Sequence, residues 1–325
     1  MTKKLASQFS FVSLFTIFCV FLFGFSSVNA ATPTPSKNSK LSVDNKLLKR
    51  SPSFLDPSKV ALGSVRAAIF QPGSNTLLYS KNANSPAPIA SITKLMMAMV
   101  ILDAKQPLEE YLTIKKSNRK TEKNGYSRIR LGSQLRRRDL LRIALMASEN
   151  RAASTLAFHY PGGFDAFVLA MNKKAKLLGM TTTYFYDATG LSLENVSTAA
   201  DLVLMVTAAE KYELIKEYST TKSFTARFKK PRYVLGYGNT NRLVHRDSWN
   251  ILVTKTGYLT EAGRCLVMVT DIDDEPVVMV FLDSFGKLTP VGDAGRIRRW
   301  MTTGAGGRVA GAAANYEKTK SAAYR

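Results

Sequence analysis

The chain has 325 residues, 45% of them hydrophobic, and carries 46 basic against 24 acidic residues, a formal net charge of +22. This length is enough to bury a core, which excludes a scaffold that depends on disulfides for its stability. The positive charge indicates nucleic acid as the partner of a cytoplasmic chain, and cell-wall polymers or acidic lipids as the partner of an exported one.

The first thirty residues have the pattern of a secretory signal peptide. Lys3 and Lys4 precede an apolar stretch from 9 to 25, and small residues lead to Ala30. We expect cleavage after Ala30 and a periplasmic location, with a single membrane anchor as the alternative. The only cysteine left in the mature chain is then Cys265, which excludes an intramolecular disulfide. Cys265 lies in an apolar run, and we expect it to be packed in the core.

Residues 31–57 are rich in Pro, Ser, Lys and Asn and have little periodicity, which is typical of a linker. The first regular structure predicted is a strand over 64–70. A Pro-Gly-Ser-Asn turn joins it to a second strand over 76–80, and together they form a β-hairpin.

The segment 86–103 follows. Two prolines, Pro86 and Pro88, restrict the approach, and from Ser91 onward we predict a helix buried on all sides, because its only charge before Asp103 is Lys94. Ser91 stands three residues before this lysine, so both side chains lie on one face of the helix. A buried amine loses much of its preference for the charged form, and a neutral amine is a base. Ser91 is therefore a candidate nucleophile and Lys94 its candidate activator.

The Ser-x-x-Lys spacing is weakly specific by itself. It also occurs at 117–120, 219–222 and 284–287, where chance is a sufficient explanation because both residues are common. The copy at Ser91 differs because it alone opens a long apolar helix.

The rest of the chain divides into a helical block and a second group of strands. Helical spacing is found at 139–146, 164–178, 199–211 and 291–302, and apolar β-branched runs at 249–256, 264–270 and 277–282. The segment 304–325 is rich in Ala, Gly and Lys, and we expect it to be a disordered tail.

Strands at both ends with helices between them predict an α+β fold. The terminal strands form one antiparallel sheet with helices packed on it, and residues from about 104 to 240 are inserted as an all-helical lobe. A cleft between the sheet and this lobe is a natural site.

Two further short motifs carry polar side chains suited to this chemistry. Ser148 and Asn150 follow the predicted helix 139–146, although Ser-x-Asn also occurs elsewhere in the chain. The sequence Lys255-Thr256-Gly257 occurs once, in a predicted strand. A strand edge with a glycine lets a substrate backbone approach and pair with it, and the lysine presents positive charge to a carboxylate.

Ser91-x-x-Lys94, Ser148-x-Asn150 and Lys255-Thr256-Gly257, in this order, resemble the motif set of penicillin-binding proteins and serine β-lactamases. The surroundings of these motifs resemble the low-molecular-mass D-alanyl-D-alanine peptidases, and most closely their type-7 penicillin-binding protein branch, the D-alanyl-D-alanine endopeptidases. The stretches that carry this closer similarity are 127–133, 146–157, 190–192, 195–198 and 254–267. The resemblance spans residues 60–303 and implies a transpeptidase-like domain over 58–303.

The resemblance implies an acyl-enzyme mechanism without a cofactor or a metal. Ser91 attacks a D-alanyl carbonyl, Lys94 takes its proton, and Ser148 relays a proton toward the leaving amine. Substrate contacts are implied for Asn150, Lys255, Thr256, Gly257 and Tyr258. The backbone N–H groups of Ser91 and Tyr258 form the oxyanion hole, each worth about 3 kcal/mol. Water then releases the acyl group.

Absent motifs narrow the function that the resemblance implies. Glu-x-x-Leu-Asn, the deacylating element of class A β-lactamases, does not occur between the second and third motifs, so rapid penicillin hydrolysis is not expected. The short segment after the predicted last helix has no apolar face, which favours the endopeptidase branch over carboxypeptidases with a second domain and an anchor. His159 and His245 are the only histidines and do not form a zinc motif.

We therefore expect an endopeptidase that cuts peptide cross-bridges of peptidoglycan and is inhibited covalently by β-lactams. The alternatives are a D-alanyl-D-alanine carboxypeptidase and, in another class, a catalytically silent cell-wall-binding protein. Nucleic acid is not expected as a partner. Cations are concentrated between Lys115 and Arg138 and include Arg136 and Arg137; they favour a loose electrostatic association with membrane or wall over a merely solvated surface.

Overall fold

The computed structural model of the chain describes residues 55–115 and 126–322. The predicted signal peptide and most of the predicted linker lie outside these residues. The strands are β1 Ser64–Gln71, β2 Thr76–Lys81, β3 Ala87–Pro88, β4 Tyr111–Thr113, β5 Gln134–Arg136, β6 Val196–Ser197, β7 Ser223–Phe228, β8 Tyr233–Gly238, β9 Ile251–Leu259, β10 Gly263–Ile272 and β11 Glu275–Ser284. The helices are α1 Thr93–Asp103, α2 Arg137–Met146, α3 Asn150–Phe158, α4 Gly163–Leu177, α5 Ala199–Ala209, α6 Glu213–Thr220, α7 Thr289–Thr303 and α8 Gly311–Ser321.

The main sheet is antiparallel and has the order β2-β1-β11-β10-β9, which confirms the predicted sheet of terminal strands. Its central strand β11 is buried along most of its length, since helices cover both faces of the sheet. Phe70 and Val278 are paired and belong to the core cluster shared with α1. Their neighbours Ile69 and Met279 are also paired and belong to a second cluster, which contains Trp300 of α7.

Helix α1 crosses the larger core cluster and is buried from Thr93 to Ile101, as its uniformly apolar sequence predicts. It contacts α2, α3, α4 and α5, and α5 also packs on the sheet. A helix held on all sides has no freedom to shift its first turn, so the position of Ser91 is determined by the core.

The description of 104–240 as an all-helical lobe is wrong, although the α+β class is confirmed. Within this block β4 pairs with β5, and β7 pairs with β8 as a hairpin. The hairpin buries Ala226, Phe228 and Tyr237 while their sequence neighbours remain exposed. The pattern therefore has a period of two, which is typical of a strand with one covered face, but charged residues on the other face interrupt its apolar character.

The prediction of a disordered tail over 304–325 is wrong, because α8 forms there and packs on β1. The hydroxyl of Tyr316 donates to Asp283 at 2.6 Å, and Lys81 pairs with Glu317 at 2.9 Å. Alanine and lysine are strong helix formers, so the same composition that indicates disorder also supports a helix once one face has a partner.

Candidate active site

Ser91 lies in a short 3-10 turn, Ala90–Ile92, that leads directly into α1. Ala90 has a φ of 47°, a conformation that side chains other than glycine rarely adopt. The turn is held by the hydroxyl of Thr93, which donates to the carbonyl of Ala90 at 2.8 Å. This strained turn presents Ser91, which is partly exposed, at the end of a buried helix.

Lys94 is fully buried, and its amine donates to three oxygen atoms. These are the hydroxyl of Ser91 at 2.8 Å, the side-chain oxygen of Asn150 at 2.8 Å and the carbonyl of Thr189 at 2.6 Å. None of the three is a carboxylate. A neutral lysine amine has two N–H groups and one lone pair, so in that form it donates to two of these oxygens, Asn150 and Thr189, and can accept the proton of the Ser91 hydroxyl.

Ser148 and Asn150 occupy the connection between α2 and α3. Ser148 has a φ of 59°, which makes it a second strained residue at the site. Glu149 is the N-cap of α3, and its carboxylate accepts the backbone N–H of Arg151 at 3.2 Å. Asn150 is the first residue of α3, and this position lets its side chain reach Lys94.

Lys255 lies on β9, the edge strand of the main sheet, and is also fully buried. Its amine donates to the carbonyl of Thr256 at 2.7 Å. Burial, and to a lesser extent the positive charge of Lys94, holds the pKa of Lys255 well below its usual range. The hydroxyl of Thr256 donates to that of Thr240 at 2.7 Å.

Two glycines let the backbone approach Ser91 closely. A Cβ on Gly257 would lie 3.2 Å from the backbone nitrogen of Ser91, so strand β9 runs directly beside the turn that carries Ser91. Gly190 has a φ of 80°, and a Cβ there would lie 1.9 Å from the carbonyl oxygen of Ala90. No side chain fits at Gly190 without displacing the turn that carries Ser91.

The loop that contains Gly190 also supplies one acceptor of Lys94, and none of the sequence motifs predicted this. The carboxylate of Asp187, fully buried, accepts the backbone N–H groups of Thr189, Gly190 and Ser192 at 2.7, 2.6 and 2.8 Å. These bonds fold the loop so that the carbonyl of Thr189 faces Lys94. The sequence Asp187-Ala188-Thr189-Gly190 contains residues typical of turns, and it could have indicated this loop.

A cleft of about 480 Å³ brings the predicted residues together. Those that line it are Ser91, Ser148, Asn150, Thr256, Gly257 and Tyr258. Lys94 and Lys255 lie behind this surface. Thr240 also lines the cleft and was missed, since an isolated threonine carries no motif. Tyr258 is half exposed, and the guanidinium of Arg264 stacks on its ring at 3.6 Å from the centroid.

Within the predicted basic surface, the charges of Arg136, Arg137 and Arg138 are compensated by acidic side chains. Arg137 is buried and pairs with Glu110 at 2.5 Å, while Arg136 and Arg138 pair with Glu109 at 3.3 and 2.5 Å. Charge counted along the sequence misses this compensation because the acidic partners precede the arginines by some thirty residues.

Within the described residues, no group of three or more His, Cys, Asp or Glu side chains is placed to hold a metal ion. In the same part of the chain, no helix combines the length and the hydropathy needed to span a bilayer.

The chain is similar in sequence to a known protein family and to characterised relatives. Residues 56–286 match the family model described as D-alanyl-D-alanine carboxypeptidase. The chain is 50% identical over 265 residues to a D-alanyl-D-alanine endopeptidase of Escherichia coli K12, covering 82% of this chain and 86% of that one.

Solved structures agree with this similarity. The Streptomyces K15 DD-transpeptidase is 26% identical, with a TM-score of 0.68 over 80% of this chain and 99% of that one. Penicillin-binding protein D2 of Listeria monocytogenes, solved in a cefotaxime-bound form, is 26% identical, with a TM-score of 0.63 over 72% of this chain and 95% of that one.

Proposed function

The chain belongs to the D-alanyl-D-alanine carboxypeptidase family of serine peptidases, and from this we propose that it is a D-alanyl-D-alanine endopeptidase. It hydrolyses the peptide cross-bridges of peptidoglycan through an acyl-enzyme, and β-lactams inhibit it by acylating the same serine. The identity of 50% with an endopeptidase supports this choice of peptide bond. The transpeptidase and the cefotaxime-bound protein share its fold and support the acyl-transfer chemistry.

The geometry of the cleft supports the role that we propose for each residue. Ser91 is the nucleophile and Lys94 the base that receives its proton, because their side chains are in hydrogen-bond contact. Ser148 borders the cleft and relays a proton to the leaving amine. The N–H groups of Ser91 and Tyr258 stabilise the oxyanion, and water then attacks the acyl-enzyme.

The remaining cleft residues bind the substrate. Asn150 orients the substrate amide while it holds Lys94. Strand β9 is a sheet edge, so the substrate backbone pairs beside Gly257 as an added strand. Thr256 lines the cleft and binds a carboxylate, and Lys255 behind it polarises the site.

The observation that carries the proposal is the 2.8 Å contact between the Lys94 amine and the Ser91 hydroxyl at the end of a buried helix. The test is to incubate the purified protein with a fluorescent penicillin and then denature it. We expect a covalent label on the wild type and on Ser74→Ala, a control in an exposed turn, and no label on Ser91→Ala. A label on Ser91→Ala, or none on the wild type, would overturn the assignment of the nucleophile.

A digest of purified peptidoglycan identifies the peptide bond that the protein cleaves. Loss of cross-linked dimers supports the endopeptidase. Release of D-alanine with the dimers intact would select the carboxypeptidase instead. Lack of any product from a correctly folded protein would select the silent wall-binding protein.

We further propose export to the periplasm with cleavage of the leader after Ala30, as the pattern of residues 1–30 indicates. The extracytoplasmic location of peptidoglycan supports this. N-terminal sequencing of the protein recovered from the periplasm tests it, and a mature chain beginning at Ala31 is the expected result.

A loose electrostatic association with membrane or wall is proposed at the β7–β8 hairpin rather than at the paired arginines. Arg227, Lys229 and Arg232 are exposed there, and none has an ion pair within the described residues. We expect Arg227→Gln with Arg232→Gln to weaken co-sedimentation with anionic vesicles or sacculi at low salt more than at high salt. An equal loss at both salt concentrations, or none, would leave the hairpin a solvated surface.

A further inference from the structure

The connection from α4 to α5 contains a buried carboxylate that has no part in the reaction steps described so far. Asp187 is fully buried, and its carboxylate accepts four hydrogen bonds. The donors are the backbone N–H groups of Thr189, Gly190 and Ser192 at 2.7, 2.6 and 2.8 Å, and the hydroxyl of Thr189 at 3.0 Å. A buried carboxylate is costly unless several donors compensate it, and here all four belong to the residues that directly follow it. Its charge therefore fixes the shape of one short loop.

A second buried side chain ties this loop to the turn that carries Ser91. The side-chain oxygen of Asn195 accepts the backbone N–H of Asp187 at 3.2 Å, and its amide group donates to the carbonyl of Ser192 at 3.1 Å. The backbone carbonyl of Asn195 accepts the N–H of Ile89 at 3.0 Å, two residues before Ser91. The loop is thus folded by Asp187 and held in place beside the turn by Asn195.

The carbonyl of Thr189, at the centre of this loop, helps to decide where the lone pair of Lys94 points. A neutral amine at this position donates one N–H to the carbonyl of Thr189 at 2.6 Å and the other to Asn150 at 2.8 Å. The lone pair is then left for the third contact of the amine, the hydroxyl of Ser91 at 2.8 Å. If one of the two acceptors moves away, the amine is free to rotate and to donate to the Ser91 oxygen, and a donating amine does not take the proton.

We propose that Asp187 is a positioning residue for the base. It holds the carbonyl of Thr189 against the amine of Lys94, and this keeps the lone pair of that amine on the hydroxyl of the nucleophile. The role rests on the proposed function, in which Lys94 receives the proton of Ser91. Asp187 acts only through other groups of the protein, because its carboxylate is fully buried and surrounded by its own loop. Its removal should therefore slow the chemical step rather than weaken binding.

The test measures acylation by a fluorescent penicillin at several concentrations, which separates the rate constant of acylation from the dissociation constant of the penicillin. Asp187→Asn keeps the size of the side chain and one accepting oxygen, but its NH₂ group faces the N–H of a loop residue that needs an acceptor. We expect the rate constant to fall about 30-fold, since a misplacement of about 1 Å can cost about 10²-fold. The dissociation constant should change by less than about twofold, because Gly190 stays packed against the Ser91 turn.

Asp201→Asn is the matched control, because Asp201 is a second buried carboxylate that holds the same connection. It accepts the backbone N–H of Thr182 at 2.8 Å and the hydroxyl of Thr183 at 2.7 Å, both before the loop that contacts Lys94. We expect this variant to lose stability in urea unfolding and to keep the acylation rate constant of the wild type. An equal loss of rate in both variants would mean that the fold of the connection alone matters, and it would overturn the proposal.

Two substitutions at Thr189 separate hydrogen bonding from packing, and they decide the question if Asp187→Asn does not fold. Thr189→Val keeps the volume of the side chain but removes the hydroxyl, which donates to Asp187 at 3.0 Å and accepts the N–H of Leu191 at 3.1 Å. Thr189→Ser keeps this hydroxyl and removes a methyl group. We expect Thr189→Val to be acylated about fivefold more slowly than the wild type, and Thr189→Ser to lose less of the rate. The reverse order would assign the side chain a packing role and overturn the proposal.

The outcomes for the positioning role are distinct from those for the proposed function. A folded Asp187→Asn that is acylated at the wild-type rate overturns the positioning role alone, as does a loss confined to the dissociation constant. In both cases Ser91 remains the labelled residue. A wild type that acquires no penicillin label overturns the proposed function and the positioning role with it.

Discussion

The two buried lysines behind the cleft, Lys94 and Lys255, lie in different regions and have different hydrogen-bond partners. At the start of α1, the amine of Lys94 meets a hydroxyl, an amide oxygen and a loop carbonyl. On edge strand β9, the hydrogen bond of Lys255 goes to the carbonyl of the next residue in its own strand. The first arrangement couples the lysine to Ser91, the proposed nucleophile, and the second places a lysine with a lowered pKa behind the sheet edge proposed to bind substrate. Burial alone therefore does not assign a role, since the partners of each amine determine it.

The largest effect should follow from removing the lysine that contacts Ser91. Lys94→Ala takes away the only side-chain amine in contact with the Ser91 hydroxyl within the described residues, and we expect acylation by penicillin to fall about 10³-fold. Stopped-flow or gel measurement of the acylation rate checks this, with circular dichroism to confirm folding. Acylation at the wild-type rate in a folded variant would remove Lys94 from the role of base.

A smaller loss should follow from the corresponding change on β9. Lys255→Ala leaves the Ser91–Lys94 contact in place, and we expect acylation to fall about 10²-fold because polarisation of the site is lost while its base remains. The same acylation assay measures it. A loss equal to that of Lys94→Ala would contradict the division of roles between the two regions.

The two regions also differ in how far the sequence predicts them. The i, i+3 spacing and the apolar helix are local patterns, so residue order alone places Ser91 and Lys94 on one face of a helix. The acceptor at Thr189 could not be predicted in this way, because it is a backbone carbonyl positioned by hydrogen bonds to Asp187, and a carbonyl leaves no signature in residue type.

Outside the motifs too, the sequence predicts elements with a local pattern and misses those that depend on distant contacts. The strands of the main sheet were predicted because both faces are covered and their sequences are continuously apolar. Hairpin β7–β8 and helix α8 were missed. Each has one covered face, and the elements that cover it, α2 and β5 for the hairpin and β1 for the helix, lie far away in the chain. Long-range contacts of this kind override local composition.

The lowered pKa of Lys255 should make the stability of the protein depend on pH. Between this lowered value and 10.5 the unfolded chain binds a proton that the folded chain does not, so the free energy of unfolding rises with pH across that window and falls as the pH drops. Each full unit of pKa shift is worth about 1.4 kcal/mol. Measured by urea unfolding from pH 7 to 10, the free energy of unfolding should rise more steeply with pH in the wild type than in Lys255→Met. Parallel curves would mean that Lys255 keeps an ordinary pKa.

The smallest effect concerns Thr240, which links strand β9 to the loop that carries Ser148. Its hydroxyl accepts from Thr256 on β9 at 2.7 Å, and its backbone N–H donates to the carbonyl of Met146 at 2.9 Å, two residues before Ser148. Thr240→Val keeps the backbone bond and the shape but removes the hydroxyl, which costs about 1 kcal/mol. We expect acylation to slow about fivefold and the free energy of unfolding to fall by about 1 kcal/mol at most, whereas Thr225→Val, exposed on β7, should leave the acylation rate unaltered. A full rate in Thr240→Val would mean that strand β9 and the Ser148 loop hold their positions independently of this contact.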